Sequence, residues 1–118
     1  MAVSREFLDY IVEMLHPMGE VQARRMFGGA GVFLDGIMFA LIADDRIYFK
    51  RDAINLWQFE EAGLPPFMYQ AKGAEPKAMA YHEAPDGALD DQELLLHWAQ
   101  IGFEAALRAA SKKVKKAK

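Results

Sequence analysis

Side chains that do chemistry are scarce in this chain. It holds two serines, no threonine and no cysteine. No disulfide, thiolate metal site or thiol nucleophile can be built from it. Ser4 stands where it would cap a helix and Ser111 heads a run of lysines. Neither has the rigid setting and adjacent base that a catalytic serine needs. His16, His82 and His97 show none of the HxH, HxxxH or HExxH spacings that bring imidazoles to one metal ion. His16 ends a helical pattern, where a partial positive charge is favoured, and His97 lies beside Trp98 on another helix. His82-Glu83 would put one side chain on each face of a strand, and a site stays open there. Asp44-Asp45, Glu60-Glu61 and Asp90-Asp91 are material for general acid–base work. Each falls in a turn, on a helix surface or at a helix start, where structure already explains it. No catalytic residue, no metal site and no cofactor are expected.

Two features could bind rather than react. Gly28-Gly29-Ala30-Gly31 is the kind of run that cradles phosphates, but it lacks the GxGxxG spacing and the lysine and hydroxyl of a P-loop. A strand pattern follows it, not a helix start. It reads as a bulge or tight bend that lets a sheet turn sharply. With Arg24 and Arg25 just upstream and His82 as a neighbour, a small anionic ligand remains the alternative. The second feature is the lysine run Lys112, Lys113, Lys115, Lys116 and Lys118. It reads as a solvated, disordered tail over 111–118, or as a weak, sequence-blind contact with nucleic acid. The chain carries a net charge of −3, and without those five lysines 9 basic face 17 acidic residues, a body near −8. Such a body repels phosphate, so nucleic acid is expected through the tail only.

These residues need elements to position them. Ser4 opens a helix whose apolar positions Phe7, Leu8, Ile11, Val12 and Leu15 recur at helical spacing. Pro17 and Gly19 stop it. A strand follows over 21–27, a second over 31–34, a third over 37–43 and a fourth over 47–50. Asp35-Gly36, the strongest short hairpin signal, and Asp44-Asp45 make the turns. A second helix runs over 52–62 with Asp52 as its cap. Gly63, Leu64 and Pro65 end it. Strands are expected over 67–70 and 78–83, with a loop between them. The last helix opens at Asp90 with Glu93 three residues on, a capping box. Its apolar face is Leu94, Leu95, Trp98, Ile101, Gly102, Ala105 and Ala109.

Strands in runs, not alternating singly with helices, predict an α+β fold with an antiparallel sheet, in the order α-β(3-4)-α-β(2)-α. At 118 residues the chain makes one domain, over 1–110. The N-terminus lacks the pattern of a signal peptide, and no apolar run approaches a membrane span. A cytoplasmic protein without membrane contact is expected. Strand alternation assigns Phe39 and Leu41 to one sheet face, Met38 and Ile42 to the other. Apolar residues on both faces leave two readings open. Either the helices cover both, or Met38, Phe39, Leu41 and Ile42 mark an interface with a protein partner or a second copy.

The run RRMFGGAGVFLDGIMFALIADDRIYFKRD resembles the signature of the TfoX N-terminal domain family, bacterial regulators of competence genes. The resemblance continues through FEEAGLPPFMYQAKG and KAMAYHEAP to LLLHWAQIGFEAAL, over roughly residues 5–107. It implies a two-layer α+β domain similar to secretion-chaperone-like domains, which commonly pair as dimers. It also implies a non-enzymatic role in transcription regulation through other transcription factors. The family block falls on Arg24, Arg25, Met26, Phe27, Gly28, Gly29 and Gly31, and these positions mark identity and a candidate binding region. Full-length competence regulators of the family continue into a second, helical domain. The lysine run in its place implies a stand-alone domain.

Overall fold

The computed structural model describes residues 3–26, 28–69 and 72–117, with side chains described as far as Lys112. Ser4 starts α1 (Arg5–Met14) as an N-cap, its Oγ accepting the Phe7 N–H at 3.1 Å. Leu8, Ile11 and Leu15 turn the apolar stripe of that helix inward. A tight meander follows: β1 (Gln22–Met26), β2 (Gly29–Leu34), β3 (Ile37–Ala43) and β4 (Arg46–Lys50). The β2–β3 turn has φ of 54° at Asp35 and 77° at Gly36, and the β3–β4 turn has 52° at Asp44 and 56° at Asp45. Paired left-handed residues give the turn whose twist matches its strands, and aspartate tolerates that conformation better than most side chains.

The chain then forms α2 (Leu56–Glu61), β5 (Pro66–Tyr69), β6 (Lys77–Glu83) and α3 (Gln92–Ala117). All six strands join one antiparallel sheet in the order β1-β2-β3-β4-β6-β5. The helices cover one face only, so the expected two-layer α+β architecture is the one found. The core lies between the layers: Val32, Phe39, Ile42, Ile47 and Phe49 from the sheet meet Ile11, Phe59, Leu95 and Trp98 from the helices. Close approach of α3 to the sheet depends on Gly102, where a Cβ would stand 3.0 Å from Phe49 Cβ and 3.1 Å from the Lys50 nitrogen.

Several boundaries differ from those expected, each for a local reason. β2 begins at Gly29, so Gly29 and Gly31 lie inside a strand instead of forming a bend before it. A Cβ on Gly29 would come within 2.2 Å of the Ile42 carbonyl oxygen, so this glycine lets two backbones pass. α2 starts at Leu56, later than Asp52, because Asp52 caps a preceding turn: its Oδ1 accepts the Ile54 and Asn55 N–H groups, each at 3.0 Å. β5 starts at Pro66, and Gln70 lies outside the described residues. A short turn over Ala88–Asp90 precedes α3, and Asp91, not Asp90, caps it by accepting the Leu94 N–H at 3.2 Å. α3 itself continues to Ala117, carrying Lys112, Lys113, Lys115 and Lys116 in its last turns. Alanine and lysine are strong helix formers, and cations suit a helix C-terminus.

The largest difference is in β3. Strand alternation puts Phe39 with Leu41 and Met38 with Ile42, and the structure overturns that pairing. Val32 faces Ala40 while Phe33 faces Met38, so Phe39 is one extra residue in the strand. Such a bulge breaks the two-residue period. Phe39 and Ala40 are both fully buried, with the Phe39 ring edge-on to Phe103 at 5.6 Å. Met38 is left on the uncovered face with Leu41.

Candidate functional site

The uncovered face of the sheet is where surface chemistry is concentrated. Register places Arg24, Gly31, Leu41, Tyr48 and Glu83 in one row across it. Met26, Phe33, Met38, Phe67, Met79 and Tyr81 fill out the same face. Gly31 keeps that row low: a Cβ there would lie 3.0 Å from both Met26 Cε and Met38 Sδ. The β5–β6 hairpin curls over this face toward the β1–β2 turn. Between them lies a groove of about 510 Å³, lined by Met26, Gly28 and Gly29, by Leu41 to Asp44, and by Phe67, Met68, Tyr69 and Met79. Tyr69 is 45% and Met68 53% exposed, so large apolar side chains remain open to solvent here.

Charged groups border the apolar centre. The Arg24 guanidinium lies over the Phe33 ring at 5.1 Å and the Lys50 ammonium over the Tyr81 ring at 5.2 Å. Arg46 pairs with Glu83 at 3.1 Å. The Tyr48 ring meets the edge of Phe67 at 5.0 Å. Burial, assisted by Glu83, pushes the Tyr48 hydroxyl above its ordinary range, and burial alone does the same for Tyr81. Both phenols therefore stay protonated and act as neutral contact groups at neutral pH.

The expected site residues separate on this frame. Met26, Gly28, Gly29, Leu41 and Ile42 line the groove. Gly31 and Met38 lie beside it on the same face, and Arg24 is at its border. Arg25 points to the helical side, donating to the Val3 carbonyl at 2.8 Å. Phe27 lies outside the described residues. Phe39 and Ile42 have 0% exposure, so of the four interface candidates only Met38 and Leu41 present side chains outward. Lys112 is exposed; the side chains of Lys113, Lys115 and Lys116, and Lys118 as a whole, lie outside the described residues.

The anion pocket imagined at the glycine run does not form in that shape. Neither Arg24 nor Arg25 lines the groove beside the glycines, and Asp44 does. His82 is on the opposite, helix-covered face. It is 4% exposed, its Nδ1 lies 2.7 Å from the Leu64 carbonyl oxygen, and its ring stacks on Phe59 at 4.8 Å. A carbonyl can only accept, so Nδ1 carries a proton, and among the described residues Nε2 meets no hydrogen-bond partner. Glu83, on the other face, is held by Arg46. Among the described residues no cluster of histidines and acids is arranged to hold a metal ion, and no helix is long and apolar enough to cross a membrane.

Sequence reasoning missed two parts of this arrangement. The contribution of Phe67, Tyr69 and Met79 to the groove was not visible, because the strands expected over 67–70 and 78–83 carried no sign of where they would pair. The other part is a polar knot that ties the sheet to the helices. Asn55, 2% exposed, accepts the Asp52 N–H at 2.8 Å and donates to the Lys50 and Ile101 carbonyls at 3.1 and 3.2 Å. Asp52 in turn accepts two bonds from Arg108 of α3, at 2.6 and 3.0 Å. The Arg108 hydrogen bond holds the Asp52 carboxyl below the usual carboxylate range, and the same contact raises Arg108.

Comparison with known proteins agrees with the architecture. The profile described as TfoX N-terminal domain matches residues 13–106. DNA transformation protein TfoX1 of Aliivibrio fischeri (strain ATCC 700601 / ES114) is 36% identical over 55 residues, covering 47% of this chain and 26% of that protein. The chain thus matches about a quarter of the length of that curated relative.

Proposed function

The chain belongs to the TfoX N-terminal domain family, and from that premise we propose that it is a non-enzymatic regulatory domain acting by protein–protein contact through the uncovered sheet face. The process it serves in this reading is DNA transformation, the process that the name of its relative carries. The cytoplasm is the compartment proposed. The observation that carries the reading is the uncovered face itself, where Met38, Leu41, Phe67, Tyr69 and Met79 form an apolar surface interrupted by a groove. Exposed apolar patches of this kind mark interaction surfaces, and aromatic and methionine side chains are enriched at them. A scarcity of nucleophiles supports the absence of an enzymatic step.

Tagged protein captured from its native lysate, with nuclease present, tests this. A partner retained by the natural sequence and lost with Met38→Asp, a change that leaves the core alone, supports the reading. Retention of every captured protein by Met38→Asp would count against it. Sedimentation of the purified protein reads in the same way whether the partner is a second copy.

A further inference from the structure

We propose that the occupant of the uncovered face is an acidic amphipathic segment of a partner protein. Its apolar side enters the groove between the β5–β6 hairpin and the glycine run, and its carboxylates meet Arg24, Lys50 and Lys77 around the border. The inference rests on the protein-contact reading above and adds the chemistry of the partner.

Apart from the lysine run that ends α3, charge is segregated between the two sides of the molecule. Exposed acids crowd the helices: Glu6, Asp9 and Glu13 on α1, Glu60 and Glu61 on α2, Glu93 and Glu104 on α3. The uncovered face instead carries cations. Arg24 faces Gly31 and through it the groove residue Leu41. Lys50 faces Tyr81, next but one to Met79, and Lys77 faces the groove residue Tyr69. Arg24 and Lys50 lie over rings, and among the described residues neither meets a carboxylate. Of the acids here, Glu83 is paired with Arg46, and Asp44 lines the groove at the end of β3, away from Lys50 and Lys77 in the register. In a chain of net charge −3, a negatively charged partner is repelled by the acids of the helices ahead of the lysine run and drawn to the cations here, which fixes its orientation.

The shape of the groove selects between acidic partners. Its walls are mostly methionine, leucine and glycine, and methionine is a soft side chain that moulds to an inserted aliphatic or aromatic group. Single-stranded nucleic acid is the other anion that favours a sheet face, and it needs open ring faces on which to stack bases. Here the Phe33 face is taken by Arg24, the Tyr81 face by Lys50, and Tyr48 sits against Phe67. An acidic polypeptide meets the cations without needing those rings.

The test uses the purified full chain and three labelled probes read by fluorescence anisotropy. One is a designed peptide of leucine, tryptophan and glutamate at helical spacing. The second is the same peptide with lysine for glutamate. The third is an oligothymidine. The glutamate peptide should bind about tenfold or more tighter than the lysine peptide and weaken as salt rises. Lys50→Glu and Lys77→Glu should each weaken it several-fold, and Leu41→Glu should remove it, with circular dichroism showing each variant folded. Equal binding of both peptides would overturn the proposal, as would tighter binding of the oligothymidine. If the glutamate peptide fails while Met38→Asp still loses its lysate partner, the acidic chemistry is wrong and the contact surface stands. If Met38→Asp loses nothing either, both fail.

Discussion

Replacing Asn55 with alanine should cost roughly 3–5 kcal/mol of folding stability. The magnitude follows from what the side chain joins. Its Oδ1 accepts the Asp52 N–H at 2.8 Å, and its Nδ2 donates to the Lys50 and Ile101 carbonyls. These partners belong to the end of β4, the turn before α2 and the middle of α3, so one amide holds three elements together. Each of the three partners left buried without a replacement costs about 1–3 kcal/mol, and three partners at the lower half of that range give the loss stated. Asn55 is 2% exposed, so water does not easily stand in. Set against a total of roughly 5–15 kcal/mol for a domain of this size, the loss is a large fraction. Urea unfolding followed by tryptophan fluorescence measures it, because Trp98 packs 5.2 Å from Phe59 in the adjoining core. Asn55→Asp is the sharper comparison. It keeps the shape and the acceptor, but removes both donors and turns a carboxylate toward two carbonyl oxygens. It should be at least as damaging as alanine. A loss below about 1 kcal/mol for either variant would refute the idea that this knot, and not packing alone, ties the layers.

Other perturbations follow from the same geometry. Phe39→Ala should lose about 3–5 kcal/mol while Met38→Ala loses less than about 1.5 kcal/mol, read by urea titration; similar losses would mean the bulge is misplaced. Gly102→Val should lower the melting temperature sharply, since its Cβ would press on Phe49 and the β4 backbone; an unchanged melting temperature would show that α3 can lift off the sheet freely. Asp52 has a lowered folded pKa, so its pairing stabilises above the unfolded value of about 3.9, and that contribution fades as pH falls through the folded value. The stability gap between the natural protein and Arg108→Gln should therefore be steady from neutral pH down to about 4 and then narrow. A gap that persists unchanged in stronger acid would assign Arg108 a role other than holding the Asp52 carboxylate.

What could be read from the sequence and what could not divide along physical lines. The Asp35-Gly36 turn, the helical spacing after Ser4 and the Gly63-Leu64-Pro65 stop are local signals, written in neighbouring residues, and each appears in the fold. The family resemblance in the run from Arg24 onward is of the same kind and agrees with the match over residues 13–106. Asn55 was illegible because a polar residue ahead of a helix looks solvated until α3 arrives from 46 positions away to accept its bond. The groove was illegible for a related reason, since it exists only once β6 pairs with β4 and carries β5 over the meander.

The bulge at Phe39 decides most about the candidate site, and it shows why alternation misleads where a strand is apolar throughout. Ile37 to Ala43 contains no polar residue to mark which side faces solvent. The period-2 rule then has nothing to anchor it, and one extra residue exchanges the sides of everything beyond it. Register with β2 settles the matter: Gly31, opposite Leu41, leaves room on the uncovered face that the Met26 and Met38 side chains fill. Phe39, too large to lie outside without a pocket, instead meets Phe103 under α3. The same step that buries Phe39 exposes Met38 beside Leu41. Without the extra residue, the aromatic ring would stand on the uncovered face and the methionine beneath the helices. The place of Met38 in the apolar contact surface on which the proposed function rests is thus set by one residue inserted in one strand.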